Sequence, residues 1–74
     1  MRYSDYYKTS CIQNGRKIHS DFVHWIDRIE DIIYDKYRLY LLDIPDEDYM
    51  IHFEDGDEPE TVVAWIEESL RGYL

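Results

Sequence analysis

Several things are scarce in this 74-residue chain, and each shortage closes off a class of protein. One cysteine, Cys11, leaves no internal disulfide and no CxxC pair for metal or redox chemistry. The longest apolar run falls far short of the ~20 residues that a membrane span needs. No charged segment followed by an apolar run resembles a signal peptide, so the expected setting is the cytoplasm, without a membrane. Three glycines and two prolines form no glycine-rich phosphate loop. There is no Gly-flanked serine and no recognisable Cys/His arrangement, so no catalytic residue is expected and the chain is read as a non-enzyme. Internal repeats and low-complexity linkers are also lacking, which leaves residues 1–74 as one small domain.

Positive charge is the most informative shortage. Eight Lys and Arg face seventeen Asp and Glu, for a formal charge of −9. Residues 1–20 hold four bases (Arg2, Lys8, Arg16, Lys17) against one acid, a net +3, and the remainder holds four against sixteen, a net −12. The chain therefore divides into a basic N-terminal arm, residues 1–19, and an acidic body, residues 20–74. Such a body repels phosphate backbones, so direct nucleic-acid binding is not expected and a basic protein surface is the expected partner.

Aromatic residues are abundant: eight Tyr, two Trp and two Phe. Each can bury roughly 150–250 Å². A domain of this length buries only about 60% of the surface its unfolded chain exposes, so the aromatic rings offset a small core. They also leave surface for a partner or for a second copy in a homodimer.

The expected fold is mainly α, a small three-helix domain with a long helix, a short connector helix and a C-terminal helix. The long helix opens at Ser20 as N-cap with Asp21 in its first turn. Apolar residues then recur at Phe22, Ile26, Ile29, Ile33, Tyr37 and Tyr40, with Trp25 and Ile32 widening the stripe. Asp27, Glu30, Asp31 and Asp35 occupy the opposite face, diluted by Arg28 and Lys36. Pro45 biases Ile44 out of the α region and places the break between Arg38 and Asp43. Pro45 and Asp46 can open the connector helix, with Tyr49, Met50 and Phe53 inward and Gly56 as its stop. Asp57 and Glu60 form a capping-box-like pair before the last helix, whose stripe is Val62, Ile66, Leu70 and Tyr73, joined by Val63 and Trp65. In the arm, Asn14-Gly15 is a type I′ turn signal between two candidate strands, Tyr6–Gln13 and Arg16–His19, so both a β-hairpin and an irregular arm folded back on the acidic body are open.

With these elements placed, residues 22–62 resemble a family of small uncharacterised bacterial and phage proteins. The residues that carry the resemblance are Phe22, Trp25, Ile26-Asp27, Leu39, Asp43-Ile44-Pro45-Asp46, Tyr49, Phe53-Glu54-Asp55-Gly56 and Pro59-Glu60. Arg38 stands where that family tends to have a helix-ending Gly, and Thr61-Val62 where it has small residues. The resemblance implies a compact helical unit of phage or mobile-element origin. It transfers no catalytic residue.

His19, His24 and His52 fall at no ligand spacing, and Asp55-Gly56-Asp57-Glu58 lacks the alternating ligands and closing Glu of a calcium loop, so no metal or other cofactor is expected beyond weak divalent binding. What remains is the charge. A solvated face is one reading. The sharper one is an acidic binding surface of Asp27, Glu30, Asp31, Asp35, Asp46, Glu47, Asp48, Glu54, Asp55 and Asp57 that mimics nucleic acid on a basic groove of a host or defence protein, in the manner of a phage-type, anti-CRISPR-like inhibitor. Most aromatics read as core, with Trp25, Tyr34, Tyr49 and Trp65 as candidate anchors at an interface. The alternative is a self-associating structural or accessory protein that makes its contact through the aromatics.

Overall fold

Phe22, Ile26, Ile29 and Ile33 fall three or four residues apart, which on a helix makes one continuous stripe. In the computed structural model, which describes residues 1–45 and 47–72, all four are at most 1% exposed. They lie on α2 (Ser20–Tyr37), against which α1 (Tyr3–Gln13), α3 (Tyr49–Glu54) and α4 (Pro59–Leu70) all pack. A single 3₁₀ turn, Leu41–Asp43, follows α2. Val62, Val63, Ile66 and Leu70 of α4 complete the core with Leu41, Ile44 and Tyr49. Each fully buried aliphatic or Phe side chain contributes about 1.5–3 kcal/mol of transfer free energy.

The mainly helical expectation holds, and the N-terminal expectation does not. Residues 3–13 form a fourth helix, and no strand occurs among the described residues. Asn14-Gly15 does turn the chain, but as the end of a helix. Gly15 N donates to Ile12 O at 3.3 Å and Arg16 N to Cys11 O at 2.8 Å, with Gly15 at φ +65°. This is the paired bonding of a Schellman stop, in which a left-handed residue lets two backbone N–H groups reach back into the last turn. A type I′ hairpin turn demands the same positive φ, so the dipeptide serves either structure. Helix α1 buries Ser4 and Cys11 and packs the partly buried Tyr3 and Tyr7, a four-residue spacing that gives it an inward face.

The boundary of α2 falls at the near edge of the expected interval. Arg38 takes φ +56° and donates its N–H to Tyr34 O at 2.8 Å, so the helix stops at the position where the resemblance expects glycine. The start shifts by one residue: His19, not Ser20, is the N-cap, and its Nδ1 accepts from Phe22 N at 3.4 Å. Connector helix α3 begins at Tyr49 rather than at Pro45, and both Asp46 and Tyr73 lie outside the described residues. Helix α4 is capped by Glu58 with Pro59 in its first position and no side-chain cap bond, so the expected Asp57–Glu60 capping box does not form.

Ion pairs give the directions of the helices. Arg28 Nη2 meets Glu60 Oε1 at 3.3 Å and Lys36 Nζ meets Glu67 Oε2 at 3.4 Å, so α2 and α4 run the same way. The intervening segment, with the 3₁₀ turn and α3, is the return crossover. Helix α1 runs the other way, with Arg2 beside Asp27 and Asp31 and with Tyr7 against Phe22, ring centroids 4.7 Å apart.

Candidate protein-binding surface

The ten carboxylates expected to form one acidic surface divide into groups with different work. Glu30 is the clearest departure. It is 0% exposed and lies on the inward stripe, four residues after Ile26. Its Oε1 accepts from Tyr3 N at 2.8 Å and its Oε2 from Leu41 N at 2.7 Å, and Arg2 Nε lies 3.8 Å away. One carboxylate thus satisfies the start of α1 and the start of the 3₁₀ turn. A buried charge persists where it is hydrogen-bonded and paired, so Glu30 belongs to the framework rather than to a binding face.

Arg2 draws Asp27 and Asp31 into the same clamp, at 3.3 Å and 2.8 Å. Its guanidinium is pushed above its ordinary pKa, chiefly by the hydrogen bond to Asp31, and stays charged. The expectation that the basic arm folds back on the acidic body is met by this residue, while Lys8, Arg16 and Lys17 make no ion pair among the described residues. Asp35 is exposed on the distal half of α2. Asp46 lies outside the described residues. Glu47 accepts from Ser69 Oγ at 3.0 Å.

Of the remaining expected carboxylates, Glu54, Asp55 and Asp57 gather at the α3–α4 turn, where Glu58, not among the ten, joins them. Glu54, Asp55 and Glu58 are exposed and their carboxylates have no hydrogen-bond or ion-pair partner among the described residues; the Asp48 carboxylate shares both properties at the start of α3. The turn is tethered in three ways. Gly56, at φ +79°, makes a second Schellman stop, with Gly56 N donating to Phe53 O at 3.1 Å and Asp57 N to His52 O at 3.0 Å. Trp25 Nε1 donates to Asp57 O at 2.8 Å, which ties the turn to α2. Asp57 Oδ2 lies 2.9 Å from His52 Nδ1, so Asp57 braces the turn and is only partly exposed.

The aromatic candidates divide as well. Tyr49 is buried in the core with its ring edge-on to Tyr3 at 5.0 Å, which removes it as a surface anchor. Trp25 is half-buried, packs on Phe22 and Phe53, and spends its N–H on the turn. Tyr34 stays on the surface, with Tyr40 at 5.1 Å and the Arg38 guanidinium over its ring at 5.4 Å. Only Trp65 is largely exposed, at 55%, and it stands against the His52 ring at 4.8 Å. Tyr37 Oη donates to Glu67 Oε2 at 2.5 Å, and this bond, more than the neighbouring Lys36, holds the Glu67 carboxyl below its ordinary range and pushes the Tyr37 phenol up.

Sequence reading missed the Trp25–Asp57–His52 linkage because nothing local signals a contact across 32 positions. No group of three or more His, Cys, Asp or Glu side chains among the described residues is placed to hold a metal ion. No helix among them is long and apolar enough to cross a membrane. Comparison with protein-family models, with curated proteins and with solved structures gives no match.

Proposed function

We propose that the protein is a non-enzymatic binding module whose α3–α4 turn presents fixed carboxylates to a basic protein surface, as a charge mimic of nucleic acid. The carrying observation is that Glu54, Asp55 and Glu58 are exposed and unpaired on a turn held by Trp25, Gly56 and the His52–Asp57 contact. The backbone that carries these charges is braced in advance, so binding need order only their side chains and not the turn. Complementary potentials also raise the association rate with a basic partner. The natural targets of this chemistry are proteins that bind nucleic acid, including host or defence proteins, and a phage-type inhibitor is the role that suits a small acidic domain of this kind.

The test is capture from bacterial lysate on the immobilised protein at low salt. Captured proteins should be basic, released as salt rises because exposed charges are screened, and displaced by added DNA or RNA. Glu54→Lys combined with Asp55→Lys and Glu58→Lys should abolish capture. Unchanged capture by that variant would sink the proposal.

The exposed Ile12, Leu42, Ile51 and Trp65 favour one second reading, self-association through apolar contacts. Sedimentation across a concentration series distinguishes it, since a dimer of this kind would strengthen rather than weaken with salt and would be lost in Trp65→Ala.

A further inference from the structure

Helix α4 turns Val62, Val63, Ile66 and Leu70 inward, which leaves Ala64, Trp65, Glu68 and Ser69 on its outer surface as two adjacent ridges of i, i+4 pairs. A shallow groove runs there, closed on one side by Glu47 from the segment before α3. We propose that this groove receives an arginine or lysine side chain from a basic polypeptide segment, with the cation over the Trp65 indole and between the Glu47 and Glu68 carboxylates. The inference rests on the binding-module reading above and adds an anchor point for the same basic partner on the outer face of α4, apart from the carboxylates of the α3–α4 turn.

Three observations carry it. Trp65 is 55% exposed yet not loose: the His52 ring meets it at 4.8 Å, perpendicular at 86°, and His52 is itself held by Asp57 at 2.9 Å. A braced, exposed indole is the strongest cation acceptor among the aromatic side chains, and fixing it in advance removes a cost of binding. Glu47 is oriented by the Ser69 hydroxyl at 3.0 Å. Glu68 already holds a guanidinium, that of Arg71 at 3.4 Å, and both side chains are so exposed that the pair exchanges readily with a competing cation. Charge complementarity selects the occupant. An acidic segment would be repelled by the two carboxylates, a neutral one has no cation to place over the indole, and a second copy, its basic arm apart, is repelled by its own charge of −9.

The test uses a short peptide of alternating Arg and Gly, with a Ser-Gly peptide of equal length as control, followed by two-dimensional amide NMR of the full chain. The protein has two indole N–H signals, from Trp25 and Trp65. The Trp65 signal should shift saturably with the Arg peptide and not with the control, while the Trp25 signal, bonded to Asp57 O, stays put. Trp65→Ala should weaken binding roughly tenfold, the loss typical of a central interface anchor. Trp65→Phe should weaken it less, since a ring remains. Glu47→Gln with Glu68→Gln should weaken binding and flatten its salt dependence, and Asp21→Asn should leave it unchanged. Binding that is undiminished in Trp65→Ala overturns the groove and leaves the basic-partner reading standing; no binding of the Arg peptide at low salt overturns both. A Trp65 shift on raising protein concentration without peptide would make a second copy the occupant and overturn the proposal.

Discussion

Two turns in this protein share one backbone and differ in everything the side chains contribute. After α1, Asn14-Gly15-Arg16 closes a Schellman stop with Gly15 at φ +65°; after α3, Asp55-Gly56-Asp57 closes the same stop with Gly56 at φ +79°. The first is followed by Arg16 and Lys17, the second is surrounded by Glu54, Asp55, Asp57 and Glu58. The comparison teaches that the backbone device carries no function of its own. It fixes where the chain turns, and the adjoining residues decide what the turn can meet.

The two turns are also secured differently, and the largest expected effect exploits this. Helix α1 is held at its start by Glu30, whose carboxylate accepts from both Tyr3 N and Leu41 N. Glu30→Ala should destabilise the fold by about 3 kcal/mol, since it leaves two backbone donors without their acceptor, while Arg2 keeps Asp27 and Asp31. Hydrogen exchange should show α1 opening first while the α3–α4 turn, tethered by Trp25, opens only with the whole domain. Simultaneous loss of protection in both regions would show that the tethers are not independent.

Next in size is a test of equivalence. A Cβ added at Gly15 or at Gly56 meets nothing within 4 Å, so strain in the left-handed region is the whole cost in both cases. Gly15→Ala and Gly56→Ala should each lower stability by about 1 kcal/mol, the penalty of a left-handed L-residue. Chemical denaturation measures both. A clearly larger loss at Gly56 would show that its turn stores strain that the first does not.

A third helix end sharpens the comparison from the other side. Arg38 ends α2 at φ +56° without being glycine. Arg38→Gly should raise the denaturation midpoint, by an amount equivalent to about 0.5–1 kcal/mol, partly offset by the loss of its contact with the Tyr34 ring.

The smallest effect is a pH dependence away from both turns. Glu67 has its pKa lowered in the folded protein, first by the Tyr37 hydroxyl. A carboxyl depressed on folding contributes stability that is present above its unfolded value and lost as pH falls through its folded one. Tyr37→Phe should therefore shrink the fall in melting temperature on acidification below pH 4.5, the group's ordinary value, with little change in slope near neutrality.

Much of the fold was legible in the sequence. The α2 stripe, the α4 stripe and the Gly56 stop are local patterns, and periodicity reports them directly. Asn14-Gly15 misleads because positive φ is required by a hairpin turn and by a helix stop alike; the Tyr3, Tyr7, Cys11 spacing is the signal that favours the helix. Glu30 misleads because charge suggests solvent, whereas its place on the stripe beside Ile26 and Ile33 puts it inside. The candidate surface was less legible. Nine of its ten expected carboxylates lie among the described residues, and what separates Glu54 and Asp55 from Glu30, Asp27 and Asp31 is the pairing of the latter with Arg2 and with backbone groups far along the chain. Such pairings depend on tertiary contact, which no local pattern encodes.

The most direct measurement reverses charge at the two turns side by side and compares low-salt capture of basic proteins. Reversal at the acidic turn, with Glu54, Asp55 and Glu58 each changed to Lys, should abolish capture. Arg16→Glu with Lys17→Glu at the basic turn should leave it intact or strengthen it. Equal capture by both variants would contradict the assignment of function to the α3–α4 turn.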